Sequence, residues 1–190
     1  MSNIPERTQK YIKGLTDFID YIDRQIPVKD LTILEIGAWT GIGSITFAKR
    51  FKEVHCVDIW KKDKRCLITV KYDINKVEKI FDERKKKYKN IFKYKGDWKH
   101  FAKIFKSDDK CFDVIYVDMN KIFEENLNCL LAFYPLTREF ISGHDYEDRF
   151  SGVKKAVNKI FGRPQLVFPD TSWIVKINKF IGGKEYGNGN

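Results

Sequence analysis

Apolar residues recur at helical spacing in the first part of the chain. Tyr11, Ile12, Leu15, Phe18, Ile19 and Ile22 share one face of a helix over residues 8–26, and Pro27 ends it. From there the pattern alternates between short apolar runs, read as buried strands, and longer periodic runs, read as helices. LTILEIG (31–37), EVHCVDI (53–59), NIFKYKGD (90–97), CFDVIYVD (111–118) and REFISGHDY (138–146) are the strands. Residues 41–51, 73–89, 98–106, 121–133 and 150–162 are the helices that alternate with them. The charged one, 73–89, carries Ile74, Val77, Ile80, Phe81 and Tyr88 as its apolar stripe. Gly162 closes the last.

PQLVFP (164–169) and SWIVKIN (172–178) flank the turn Pro169-Asp170-Thr171. Alternation predicts an α/β fold with a parallel sheet and helices on both faces. The last pair is joined too tightly for a crossover, so it must be antiparallel. No linker or repeat divides the chain. Residues 1–190 read as one domain with an N-terminal helix (about 8–26), a core (about 31–178) and a frayed Gly/Asn-rich tail (about 182–190).

Composition narrows the classes. With 190 residues, 43% hydrophobic and 15% aromatic, the chain is long and apolar enough for a real core, which excludes a disordered tail. No apolar run approaches the roughly 20 residues that span a bilayer. Met1 to Lys10 is polar, without the apolar stretch of a secretory signal. Cys56, Cys66, Cys111 and Cys129 are scattered, so reduced thiols in the cytoplasm are expected rather than disulfides or zinc. The net charge of +10 suggests an anionic partner such as nucleic acid. The compositional reading, a lysine-rich chain with a solvated surface, is the preferred one. Lys61, Lys62, Lys64 and Arg65, with Lys85 to Lys87, allow the same two readings: a basic lip for an anionic acceptor, or a solvated face.

The ends of the predicted strands carry the chemistry. Ligands of open α/β sheets bind outside the carboxyl ends of the strands. Here those ends read Glu35 and Gly37, Asp58, Asp97, Asp118, then His144 and Asp145. Single acids are ordinary turn formers; acids at successive strand ends form a rim. The turn Gly37-Ala38-Trp39-Thr40-Gly41-Ile42-Gly43-Ser44 is neither a dinucleotide fingerprint nor a P-loop, which weighs against a nucleotide-binding dehydrogenase. Glu35 beside it disfavours phosphate and suits a cationic ligand such as S-adenosylmethionine. Asp58 is then placed to accept both ribose hydroxyls, a role that needs two free carboxylate oxygens.

ILEIGAWTGIGSITFAKRFKEVHCVDIW (33–60) resembles the first two motifs of class I S-adenosylmethionine-dependent methyltransferases. KGDW (95–98), FDVIYVD (112–118), ISGHDYEDRFSGVKKAVNKIFG (141–162) and PDTSWIVK (169–176) are similar to the small metal-dependent O-methyltransferases of catechol and sugar type. The resemblance implies a Rossmann-like seven-stranded sheet of order 3-2-1-4-5-7-6 with strand 7 antiparallel. It implies that Glu35, Gly37 and Gly41 shape the methionine pocket, with Ser44 near the carboxylate at a helix N-terminus and Ala38 and Trp39 also among the cofactor-binding residues. Asp58 would bind ribose and Ile59 would lie against adenine. Asp97 would bond the adenine amino group, with Trp98 beside it.

Asp118, His144 and Asp145 fall where such relatives bind a divalent metal, Mg²⁺ or Mn²⁺; Asp118 would also close the cofactor pocket. Lys121 falls where catechol-type relatives carry a general base, which would need a lowered pKa. Lys121, His144 and Asp145 are therefore the candidate catalytic residues. In the alternative reading Asp118 only closes the pocket and His144 is a metal-free base.

The acceptor implied is a sugar, glycan or other small hydroxylated molecule. The rivals are a nucleic-acid methyltransferase using the basic surface and a non-catalytic cofactor-binding subunit. His55 reads as a packed strand residue and His100 as a solvated helix position. Trp39, Trp60 and Trp98 follow strand ends, where they would stack on a ligand or anchor loops.

Overall fold

A computed structural model describes Ile4 and residues 8–177. The tail expected to fray (182–190) lies outside the described residues. Seven strands form one sheet: β1 (Thr32–Ile36), β2 (Glu53–Asp58), β3 (Ile91–Lys95), β4 (Phe112–Val117), β5 (Thr137–Gly143), β6 (Leu166–Val167) and β7 (Trp173–Lys176). Their order is β3-β2-β1-β4-β5-β7-β6. β1 to β5 are parallel, while β7 runs antiparallel to both β5 and β6. That is the sheet implied by the sequence.

The helices are α1 (Gln9–Asp23), α2 (Ile42–Ala48), α3 (Leu67–Lys71), α4 (Ile74–Lys85), α5 (Trp98–Ser107), α6 (Phe123–Phe133) and α7 (Ser151–Phe161). Strand residues alternate between two apolar layers because successive side chains point to opposite faces. Ile33, Val54, Val114 and Tyr116 pack toward α1, α2 and α4. Leu34, Val57, Ile115 and Val117 pack toward α5, α6 and α7. Phe112 joins the second layer although its parity matches Val114, and the pairing of β4 with β5 shifts register between these two residues. No helix among the described residues is long and apolar enough to cross a membrane.

Several boundaries differ from expectation for local reasons. α1 starts at the cap Thr8, whose hydroxyl accepts the Tyr11 amide, and Ile12 on its expected apolar stripe is 40% exposed. α3 is absent from the periodicity reading. β6 keeps only two residues because Pro164 and Pro169 bracket it and cannot donate to a ladder. β5 stops at Gly143, so His144 and Asp145 stand beyond the strand, with Asp145 at φ +65°. α6 begins at Phe123 rather than at residue 121, which leaves Lys121 in the loop before it. His55 is buried and stacked on Phe92, as a packed strand histidine. His100 is exposed on α5.

Candidate active site

Parallel strands deliver their carboxyl ends to one rim, and a cleft of about 970 Å³ opens there. Gly37 forms its floor between β1 and β4. Its φ is +98°, and a Cβ there would run into the Asp118 carbonyl, so only glycine lets the two strand ends meet.

At one end of the cleft stands Asp58. One carboxylate oxygen accepts the Trp39 amide at 2.8 Å and the other accepts the Trp60 amide at 2.8 Å. Both tryptophans have positive φ, 50° and 37°, a conformation the Asp58 bonds hold in place. The expectation of two free oxygens is corrected: each already carries one bond and keeps one lone pair for a ligand. Burial pushes the Asp58 carboxyl up, against the two amides that favour its charged form.

Ile59, 41% exposed, and Trp98 present apolar surface on the same wall. Asp97 caps α5 by accepting the Lys99 amide at 2.9 Å and also faces the cleft. Trp60 is an anchor: its indole donates to the Trp39 carbonyl at 2.9 Å and packs on Phe81.

Four expected cofactor residues stand behind this wall rather than on it. Glu35 is 2% exposed and accepts a hydrogen bond from Ser44, which is fully buried under α2. Ala38 is 4% exposed. Gly41, at φ +83°, sits under the Phe81 ring. They shape the turn that carries Trp39. The cause is α2: it lies so close on β1 that a Cβ at Gly43 would overlap the Glu35 carboxylate.

The other end of the cleft gathers charge. The Lys121 ammonium pairs with Asp118 at 3.2 Å and closely with Asp145. His144 places Nδ1 2.9 Å from Asp145 Oδ1 and 3.9 Å from Asp118 Oδ1. Burial pulls the Lys121 pKa down, but Asp118 and Asp145 outweigh it and hold the ammonium above the ordinary lysine range. This corrects the expected lowered pKa. Burial pushes the Asp145 carboxyl up, but His144 and Lys121 bring it below the usual carboxylate range.

Two members of this end escaped the sequence reading. Tyr11 of α1 sets its ring edge against His144 at 5.1 Å. Asp170, in the β6–β7 turn, lies 3.9 Å from His144 Nε2. Tyr11 was read only as part of an apolar stripe and Asp170 only as a turn former. No local signal separates an acid that makes a turn from one that also reaches a distant histidine.

The oxygen and nitrogen donors of Asp118, His144 and Asp145 lie within 4.8 Å of one another. Neighbouring ligands of an octahedral ion stand about 3 Å apart, so the His144–Asp145 spacing suits a divalent cation. Charge suits it too. Asp118, Asp145 and Asp170 are buried carboxylates, and Lys121 supplies one formal positive charge against them.

The wider wall carries more carboxylates than lysines and arginines, although the whole chain is basic. Arg65 is spent on Asp63 at 2.9 Å and on Glu125 across the cleft at 3.2 Å. Lys62, Lys64 and Lys85 to Lys87 do not line it.

A family model described as a methyltransferase domain matches residues 34–146. No curated protein sequence matches the chain. Among solved structures, the calicheamicin methyltransferase CalS11 has a TM-score of 0.68 at 13% identity, over 90% of this chain and 81% of that one. An apo structure of CalS11, described as a TDP-rhamnose 3'-O-methyltransferase, has a TM-score of 0.64 at 14% identity over the same shares. The O-methyltransferase from Bacillus cereus in complex with SAH has a TM-score of 0.54 at 16% identity, over 90% and 82%. Precorrin 8w decarboxylase from Methanobacterium thermoautotrophicum has a TM-score of 0.60 at 12% identity, over 94% and 91%. At such identities the likeness is one of fold.

Proposed function

This chain belongs to the methyltransferase-domain family and is an S-adenosylmethionine-dependent enzyme, and from that premise we propose that it methylates a hydroxyl oxygen of a small acceptor, a sugar or another polyhydroxylated molecule. One observation carries the reading. A single cleft joins a carboxylate flanked by apolar surface, Asp58 with Ile59 and Trp98, to a cluster of acids around Lys121. At about 970 Å³ it stands near the upper limit for one small-ligand site, so it has room for a donor and a modest acceptor. The description of CalS11 as a sugar O-methyltransferase supports the same acceptor class.

The donor supplies an electrophilic methyl group on a sulfonium. Asp58 takes the ribose hydroxyls on its remaining lone pairs, and Asp97 with Trp98 receives the adenine. Gly37 keeps the floor low enough for the methionine part. A wall rich in carboxylates favours the cationic sulfonium and disfavours a polyanionic acceptor, which weighs against nucleic acid.

Catalysis rests first on bringing the acceptor oxygen to about 3–3.5 Å from the methyl carbon in line with the departing sulfur. Asp118, His144 and Asp145 are the residues that would hold a divalent cation, whose chemistry is to lower the pKa of the acceptor hydroxyl. Lys121 is the basic group at the cleft surface, one third exposed, while the His144 nitrogens face Asp145 and Asp170. Its Nζ is therefore the assigned proton acceptor. Because Asp118 and Asp145 hold it as an ammonium, the neutral amine is scarce at pH 7.

The test is calorimetric titration with S-adenosylhomocysteine, followed by methyl transfer from labelled donor to a panel of glycosides, nucleotide sugars, catechols and tRNA. Micromolar binding is expected, with transfer to a hydroxylated small molecule and a rate that rises with pH above neutrality. Transfer to tRNA alone would overturn the acceptor class. Binding without transfer to any acceptor supports the subunit reading instead.

A further inference from the structure

We propose that Asp170 is a positioning residue that holds the imidazole of His144 by Nε2, so that Nδ1 is presented to Asp118 and Asp145 as a ligand for a divalent cation. The inference rests on the cation reading of that cluster and extends it to a residue outside the cluster.

The carboxylate is built in place. It is 2% exposed. Oδ1 accepts the Ser172 amide at 3.1 Å and Oδ2 accepts the Ser172 hydroxyl at 2.8 Å. The Ser172 hydroxyl in turn lies 2.7 Å from the buried Tyr116 hydroxyl. From above, α1 closes on the carboxylate so tightly that a Cβ at Gly14 would overlap it.

The turn itself is locked. Phe168 donates to the Ser172 carbonyl at 2.7 Å and Thr171 donates to the Phe168 carbonyl at 2.8 Å. Thr171, a β-branched residue, is held at φ +75°, a strained conformation that persists only where its surroundings impose it. The Tyr146 amide donates to the Thr171 carbonyl at 3.0 Å, which ties this turn to the segment that carries His144 and Asp145.

A carboxylate taken out of water needs a positive or proton-donating neighbour. Among the described residues the basic neighbour of Asp170 is His144, whose Nε2 is 3.9 Å from Oδ2. The two ring nitrogens thus face opposite ways, Nε2 toward Asp170 and Nδ1 toward the acids of the cleft. A neutral imidazole carries one N–H. At 3.9 Å the Nε2–Asp170 contact is a charge contact rather than a hydrogen bond, and Nδ1 stands closer to Asp145, at 2.9 Å. A proton on Nε2, the position the Asp170 charge favours, frees the Nδ1 lone pair for a cation. With it on Nδ1, the ring closes on Asp145 and the cation loses a ligand. Histidine ligands elsewhere are oriented by a carboxylate on the far nitrogen, and losing that partner costs ten- to hundredfold in metal affinity. Tyr11 blocks the ring from swinging aside.

The experiment is a double-mutant cycle on Mn²⁺ affinity, read by electron paramagnetic resonance of free Mn²⁺, in the wild type, Asp170→Asn, His144→Ala and the double variant. Asp170→Asn keeps the side-chain shape and so spares the fold where Asp170→Ala would not. S-adenosylhomocysteine affinity and thermal melting report an intact fold. The expected result is a tenfold or greater loss of Mn²⁺ affinity in Asp170→Asn that vanishes in the His144→Ala background. An equal loss in both backgrounds makes Asp170 a merely structural residue and overturns the proposal, as does unchanged affinity in Asp170→Asn. A wild type that binds no Mn²⁺ overturns the cation reading itself, and the inference falls with it.

Discussion

Replacing Asp58 by alanine is expected to weaken S-adenosylhomocysteine binding at least a hundredfold. Two ribose hydroxyls on one carboxylate are hydrogen bonds to a charged group, each contributing about 1.5–3 kcal/mol. Their joint loss is about 3 kcal/mol or more, and each 1.4 kcal/mol is roughly tenfold in affinity. A second effect adds to the first. Asp58 is the acceptor that holds the Trp39 and Trp60 amides, both in left-handed backbone conformations. Without it both turns relax and the Trp39 wall moves. Asp58→Asn keeps one carbonyl oxygen and should lose less. Calorimetric titration decides, and unchanged affinity in the alanine variant removes the ribose assignment.

Lys121→Ala is expected to lower stability by about 2 kcal/mol at pH 7.5. The substitution strips the cation from Asp118 and Asp145, whose side chains are 5% and 8% exposed. Breaking a buried pair costs about 3–5 kcal/mol, and the one-third exposure of Lys121 reduces that figure through solvent screening. For a chain of this length the melting temperature should fall by roughly 4–8 °C.

The pH dependence has a defined sign. The Asp145 carboxyl lies below its ordinary 3.8 in the folded protein, so its contribution is complete above that value and fades as pH falls through the lowered one. The Lys121 pKa lies above 10.5, so its contribution is complete below that value and fades only as pH rises past the raised one. The two melting curves should therefore separate at pH 7.5 and draw together only as pH falls through the lowered Asp145 value. The same variant should bind Mn²⁺ at least tenfold more tightly, since the cation no longer competes with an ammonium. Equal melting at pH 7.5 shows that the pair contributes nothing to stability.

The residues of the cleft differ in how legible they were. Asp58, Asp97 and Asp118 could be found by position alone, because a parallel sheet sends every strand end to one rim. Glu35 fits the same pattern and Ser44 was expected from the family resemblance, yet both are turned into the core, because α2 packs on β1 with only glycine between them. Lys121 came from the family resemblance, by its place after Asp118, but its charge state was misjudged. A pKa depends on which anions converge on the ammonium, and Asp145 arrives from another strand. Asp170 and Tyr11 were missed because their roles need β7 and α1 to be in place.

The sequence by itself determined the strands, the order of the rim acids and, through the family resemblance, the topology. Those follow from local periodicity and turn chemistry, which act over a few residues. The tertiary structure alone decided which side chains face the cleft, how the acids share one ammonium, and that a turn near the end of the chain reaches His144. Such properties arise from close packing and from charge–charge distances between segments far apart in sequence, and neither is written in any local stretch of it.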